Sequence, residues 1–446
     1  MPETNDLVFV GTLVHSTKTK SLEVLTDTAI AVRNGKIIFV TSKDQLSTVL
    51  EKYQISQDDV IYLKQKFLMP GFVDSHAHAP QFSFVGTGSG LELLPWLQTY
   101  TYPTETRFLS DDQFASDVYN KCVNRTLRNG TTTVCYFATI DRRSTMTLVD
   151  AVARQGQRAF IGKVNMDTNS PDSYRESRDQ SVSDTRRFIK DVLDKKNPLI
   201  TPCITPRFAV TCSMELMKQL GHLATEFSLP VQTHISENVG EIELVSQLFP
   251  DTRSYTEVYD RAGLLGSKTI LAHGVHLSRD ELRLIKDRDS GISHCPNSNI
   301  SLCSGILDVR KALDVGVKVG LGTDFAGGHS PSMLDAIRRG AESANILKQQ
   351  TLLKEESVTP LTYMDMFRLA TLGSSEVLGL DDVIGNFSVG KEFDAIVVNA
   401  YVKGGPFDVF VTDNIDDVIQ KFIFLGDDRN IEEVYVAGRK VLAHTE

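Results

Sequence analysis

The segment Phe72-Val-Asp-Ser-His-Ala-His78 sets two imidazoles at alternate positions. On a strand, alternate side chains point the same way, so His76 and His78 can converge on one ion. Paired histidines also occur as ordinary polar surface, and the pair alone decides nothing. Other histidines close other apolar runs: His234 ends Val231-Gln-Thr-His234, His273 ends Thr269-Ile-Leu-Ala-His273, and His294 ends Gly291-Ile-Ser-His294. Asp324 lies just beyond the run Val317-Lys-Val-Gly-Leu321. Half of the ten histidines thus sit at the ends of predicted strands. That clustering points to a metal site rather than to scattered core histidines.

The strands that must carry these groups form a series. Besides the runs named above, Thr132-Thr-Val-Cys-Tyr136, Ala159-Phe-Ile-Gly-Lys-Val164 and Leu199 to Thr205 complete a set of eight, alternating with helical stretches. Alternation of this kind predicts parallel strands joined by helices, and eight units fit a closed (β/α)8 TIM barrel, an α/β fold with its active site at the C-terminal strand ends. An open doubly wound sheet would carry a glycine-rich phosphate turn after its first strand; here that strand ends in His-Ala-His. Leu216, Leu220, Leu223 and Phe227 share one helical face, and Ser278-Arg-Asp-Glu281 reads as a capping box.

Both chain ends look different. Leu7-Val-Phe-Val10, Ala29-Ile-Ala-Val32 and Ile37-Ile-Phe-Val40 read as strands, with Asn34-Gly35 as a strong hairpin signal. Asp394-Ala-Ile-Val-Val398, Val434-Tyr-Val436 and Lys440-Val-Leu442 repeat the style at the other end. The expected organisation is a small composite β-sandwich domain built from residues 1–69 and 381–446, flanking a barrel over 70–380.

Composition sets outer limits. The 446 residues suffice for a large core, and 41% hydrophobic with 23% charged residues is ordinary for a soluble enzyme. A formal charge of -10 argues against nucleic acid as partner, since phosphate binding needs basic surface. No run of eighteen apolar residues exists and the first residues lack a basic patch, so no membrane association and a cytoplasmic location are expected. Six scattered cysteines without a C-x-x-C pair read as reduced, mostly buried thiols.

Pro70-Gly-Phe-Val-Asp-Ser-His-Ala-His78, Gln232-Thr-His-Ile-Ser-Glu237, Leu271-Ala-His273, Ser293-His-Cys-Pro-Asn-Ser298 and Gly322-Thr-Asp324 together resemble the amidohydrolase superfamily across the whole barrel. Within it, Pro206-Arg-Phe208, the stretch from His294 to Gly305, Gly322-Thr-Asp-Phe-Ala-Gly-Gly328 and Asp394 in Gly390-Lys-Glu-Phe-Asp394 resemble the eukaryotic-type guanine deaminases. The resemblance implies one zinc ion per chain held by His76, His78, His234 and Asp324, a sensible donor set for that metal. It also implies that Asp324 accepts a proton from the attacking water and that Glu237 shuttles it to the substrate ring. His273 would orient the nucleophile and stabilise developing charge. Read without the resemblance, Glu237 is a surface carboxylate ahead of a helix and His273 an outlying histidine. His294 has three readings: substrate contact, support of Asp324, or ordering of the Cys295-Pro296 turn.

By the same resemblance the substrate is a small purine, guanine, converted to xanthine and ammonia. Arg207 would bond the ring carbonyl, Phe208 pack beside the ring, and Gln81 read another edge; Trp96 lines the pocket or belongs to the core. Some relatives bridge two metals with a carboxylated lysine on the fourth strand. Lys163 falls on the third and Leu199 to Arg207 contains no lysine, so a single metal is expected. A homodimer is implied by likeness alone. Pro80 and Phe325 depart from the family's usual residues and would reshape the pocket. Rival readings are a related hydrolase of an adenosine derivative or a chlorinated triazine, and a non-catalytic scaffold with this fold. The other zinc deaminase fold requires P-C-x-x-C, which is missing.

Overall fold

The computed structural model describes residues 6–88, 90–352 and 359–443. Its first strands, β1 (Asp6–His15), β2 (Glu23–Arg33) and β3 (Lys36–Ser42), form an antiparallel meander. Asn34 and Gly35 turn the chain between β2 and β3 with φ of 51° and 79°, as the sequence predicts for a two-residue hairpin. β4 (Val60–Pro70) then runs parallel to β1 and delivers the chain to the barrel.

Eight strand positions follow. They are β5 (Phe72–His78), β6 (Thr131–Phe137), β7 (Arg158–Gly162) continued by β8 (Val164–Asn165), β9 (Ile200–Pro202) continued by β10 (Thr205–Pro206), β11 (Val231–Ile235), β12 (Thr269–His273), β13 (Gly291–His294) and β14 (Lys318–Leu321). All pair in parallel. Every residue of β5, β6, β7, β11, β12 and β13 is buried, as expected of strands covered on both faces. The third and fourth strands are each split in two. The two breaks lie side by side, with β7 paired to β9 before them and β8 to β10 beyond.

The two four-stranded halves, β5-β6-β7-β9 and β11-β12-β13-β14, close through their edges. Ile204 N–H donates to Pro230 O at 2.9 Å and Gln232 N–H to Ile204 O at 2.9 Å on one side. On the other, Asp324 N–H donates to His76 O at 3.0 Å and Ser75 Oγ to Leu321 O at 2.8 Å. Helices follow the strands from Asp112–Arg128 to Met333–Leu352. In Met214–Phe227, Leu216, Leu220 and Leu223 are buried and Ser213 caps the first turn; Ser278 and Glu281 form the predicted capping box at the start of Arg279–Asp287. No described helix is long and apolar enough to cross a membrane.

The chain then returns to the first sheet as β15 (Ala395–Val398), β16 (Ile431–Val436) and β17 (Arg439–Ala443), giving one seven-stranded sheet ordered β17-β16-β15-β4-β1-β2-β3. That sheet folds over a core of Phe9, Leu68, Phe393 and Tyr435 until its two ends meet. Phe393 N–H donates to Gly35 O at 2.8 Å, and a Cβ on Gly35 would lie 2.4 Å from Ala437 O. The composite β domain is thus a single folded-over sheet built from both termini. Asp394 fastens it to the barrel: its carboxylate accepts from Arg158 Nε and Nη2 at 3.2 and 3.0 Å and from Ala437 N–H at 2.8 Å.

Candidate active site

The ends of β5, β11 and β12 and the turn after β14 bring His76, His78, His234, His273 and Asp324 together at the C-terminal mouth of the barrel. Alternation along β5 puts His76 and His78 side by side, their ring centroids 5.0 Å apart. Asp324 Oδ1 lies 3.1 Å from His76 Nε2 and 3.5 Å from His78 Nε2, and His78 Nε2 lies 3.0 Å from His234 Nε2. His76, His234, His273 and Asp324 each offer an atom within 4.8 Å of the others. Phe137 packs against His76, His78 and His234 with ring centroids 5.0, 4.6 and 4.8 Å away, keeping that side dry.

This donor set fits a divalent cation. His234 Nδ1 lies 2.6 Å from Arg207 O, a contact that requires Nδ1–H and leaves Nε2 as a bare lone pair. Burial lowers the pKa values of His76, His78 and His234, so they stand as neutral ligands. Tetrahedral ligands about 2.0–2.1 Å from a zinc ion stand roughly 3.3 Å apart. The observed separations of 3.0, 3.1 and 3.5 Å bracket that value.

Glu237 and His273 flank the cluster. His273 ends β12 with φ of 72°, and its Nδ1–H donates to Asn299 Oδ1 at 2.8 Å. Its Nε2 then faces Glu237 Oε2 at 3.4 Å and Asp324 Oδ2 at 3.6 Å. Glu237 is buried rather than a surface carboxylate, and burial pushes it up to about 7 against the pull of His273. A carboxyl so placed can hold and release a proton near neutrality. Ser304 Oγ donates to Glu237 Oε1 at 3.1 Å, and the Glu237 backbone is pinned by Glu241, whose Oε2 accepts Glu237 N–H at 2.9 Å.

Beside the cluster lies a small cavity. Gln81, Arg207 and Phe208 line it, as do Glu237, His273 and Asp324. Leu93, Trp96, Leu97 and Leu302 supply apolar wall, so Trp96 faces the cavity as well as the core. Arg207 is fully buried and paired with Glu105 through Nη1 to Oε2 at 2.8 Å.

His294 does not line this cavity. It borders a second one with Leu307 and Met366, and neither ring nitrogen has a partner among the described residues. Lys163 is buried in an ion pair with Glu176 at 2.8 Å and takes no part in the cluster. Sequence reasoning passes over Glu105, Glu241 and Asn299. Asn299 alone carries a signal, lying in the His294-to-Gly305 stretch that resembles the family. Cys303 is exposed; the other five cysteines are buried, and all six are unpaired.

A barrel of this topology, with histidines on its first, fifth and sixth strands and an aspartate after its eighth, defines a class of metal-dependent hydrolases. The chain belongs to the amidohydrolase family, whose model matches residues 67–441. It is 48% identical over 443 residues to the guanine deaminase of Mus musculus, spanning 98% of this chain and 96% of that one. The guanine deaminase of Dictyostelium discoideum is 46% identical over 444 residues, 97% of this chain and 98% of its own. The crystal structure of guanine deaminase from C. acetobutylicum, with guanine bound in its active site, superposes with a TM-score of 0.90 at 37% identity, covering 98% of this chain and 100% of that one.

Proposed function

We infer that the chain hydrolyses guanine to xanthine and ammonia. The observation that carries this reading is the cavity that Arg207, Gln81 and Phe208 line together with His78, His234, Glu237, His273 and Asp324. Full-length likeness to guanine deaminases supports it. Guanine is flat and neutral, with donors and acceptors around its edge, and asks for a few directed polar groups on apolar walls. Arg207 would donate to the ring carbonyl, Gln81 would meet another edge and Phe208 would pack beside the ring. An adenine ring lacks that carbonyl and would leave Arg207 N–H groups unpaired in a buried site.

A zinc ion held by His76, His78, His234 and Asp324 would supply Lewis-acid activation of a water near neutral pH. Asp324 would take the proton of the attacking water, and His273 would hold that water against the ring carbon bearing the exocyclic amine. Glu237 would carry one proton of the water to the adjacent ring nitrogen and then the second, released by the adduct's hydroxyl as it becomes a carbonyl, to the departing amine. A C–O bond forms, the C–N bond breaks, and ammonia leaves while the ring carbon becomes a carbonyl.

One zinc per chain, a homodimer, a role in purine catabolism and a cytoplasmic location belong to the same reading, and the six unpaired cysteines favour a reducing compartment. So does division of the chain at about residues 70 and 380, which the change of sheet between β4 and β5 supports. The test is ammonia release from guanine, adenine, adenosine and cytosine by zinc-loaded protein. Guanine alone should be turned over; turnover of adenosine without guanine would overturn the assignment.

A further inference from the structure

The two polar side chains offered to the purine are tied to one carboxylate. Glu105 is buried completely on the helix Tyr102–Arg107. Its Oε1 accepts from Gln81 Nε2 at 3.0 Å and from Arg207 Nη2 at 3.4 Å, and its Oε2 accepts from Arg207 Nη1 at 2.8 Å. Gln81 Oε1 in turn accepts Ala326 N–H at 3.3 Å. A carboxylate only accepts and a backbone N–H only donates, so both contacts demand the same orientation of the Gln81 amide. What Gln81 presents to the cavity is therefore set by Glu105 together with the Ala326 N–H.

Charge follows the same logic. Arg207 lies over the Tyr102 ring at 5.6 Å, buried with Glu105. Burial works against its charge, but Glu105 foremost, with Tyr102 and Tyr174, more than offsets that, so the guanidinium stays ionised. A lone cation in a dry pocket would hold any anion tightly; paired with a carboxylate it presents N–H donors with little net field. The distinction matters for the reaction inferred above, because a purine with two ring carbonyls is a stronger N–H acid than its amino-substituted precursor.

We propose that Glu105 is a positioning residue that sets the pocket's specificity: it fixes the donors of Gln81 and Arg207 and cancels the guanidinium charge, so that a neutral 6-oxopurine is accepted and the more acidic dioxopurine product is released. This rests on the reading of the cavity as the guanine site.

The experiment compares wild type, Glu105→Gln and Glu105→Asp as zinc-loaded proteins. It measures KM and kcat for guanine, and inhibition by neutral hypoxanthine and by xanthine at a pH where xanthine is an anion. Glu105→Gln should raise KM for guanine at least about tenfold, the worth of one charge-assisted hydrogen bond, with a smaller change in kcat. Hypoxanthine should weaken in parallel with guanine. Xanthine should gain at least about tenfold relative to hypoxanthine, because an uncancelled Arg207 attracts it. Glu105→Asp keeps the charge, so its ratio of xanthine to hypoxanthine affinity should remain near that of wild type while KM rises. Parallel weakening of all three ligands in Glu105→Gln would mark Glu105 as mere packing and overturn the proposal, as would wild-type behaviour. Should Glu105→Gln lose its zinc or its fold, a changed affinity ratio in Glu105→Asp overturns it instead. Failure of wild type to deaminate guanine removes the underlying reading; a guanine-active wild type with an indifferent Glu105 removes only the proposal.

Discussion

His234 Nδ1 lies 2.6 Å from the backbone carbonyl oxygen of Arg207. One residue's main chain thus fixes the tautomer of a metal-ligand candidate while its side chain lines the substrate cavity. Strand ends β10 and β11 are neighbours in the barrel, so metal loading and substrate reading share a seam without sharing atoms.

That separation predicts the behaviour of Arg207→Ala. The carbonyl on which His234 leans survives the substitution, so metal content should stay near one ion per chain. Guanine turnover should fall in kcat/KM by a factor on the order of 10² or more, the cost of a lost charged donor in a buried site. Metal analysis alongside kinetics checks both halves. Loss of metal in the variant would show that the side chain, through Glu105, holds the strand end as well.

Removal of the metal should cost stability as well as activity. With the cation removed, three imidazoles and a carboxylate spaced to hold it would be left buried without their common partner. A ligand present at a thousandfold excess over its Kd stabilises the folded state by about 4 kcal/mol. Chelated protein should therefore melt at a lower temperature in calorimetry and recover both Tm and ammonia release on adding zinc. An unchanged Tm would mean that the cluster is held open by the barrel alone.

Much of this cluster is legible in the sequence. His76, His78, His234, His273 and Asp324 stand out because strand alternation and the strand-end rule of closed barrels are local patterns read along the chain. Glu105 is not legible. Nothing in Tyr102-Pro-Thr-Glu-Thr-Arg107 matches a chemistry-bearing pattern, and its partner Arg207 lies 102 residues on. Only closure of the barrel over the helices after β5 brings them together. The breaks in the third and fourth strands escape for another reason: apolar runs mark where strands lie, whereas ladder continuity depends on which N–H groups the register calls on.

Asp394 offers a test of how the folded-over sheet is joined to the barrel. Its buried carboxylate meets buried Arg158 at the start of β7 and the N–H of half-buried Ala437 in the β16–β17 turn. Asp394→Ala would leave Arg158 only its bond to Glu392 at 2.7 Å and would strand a backbone donor. Breaking one partner of a buried pair costs about 3–5 kcal/mol, and the surviving Glu392 contact sets the expectation at the lower end of that range. Urea unfolding should show a loss of that size, with metal content and KM of the remaining folded protein near wild type; a loss below about 1 kcal/mol, the worth of a surface pair, would place the clamp elsewhere.

Glu237 is the sharpest probe of the chemistry. It contacts His273 and Ser304 but sits outside the set of donors spaced for a cation, and Glu241 holds its backbone independently of its carboxyl. Glu237→Gln should therefore fold, bind one metal ion and retain affinity for guanine. Its amide cannot carry a proton between water and ring, so kcat should fall by roughly 10² to 10⁴, the usual span for an acid–base group. The acid–base reading also requires that kcat and kcat/KM fall together, since the lost interaction belongs to the transition state. A variant with raised KM and intact kcat would instead make Glu237 a binding residue and move proton transfer to Asp324 and His273.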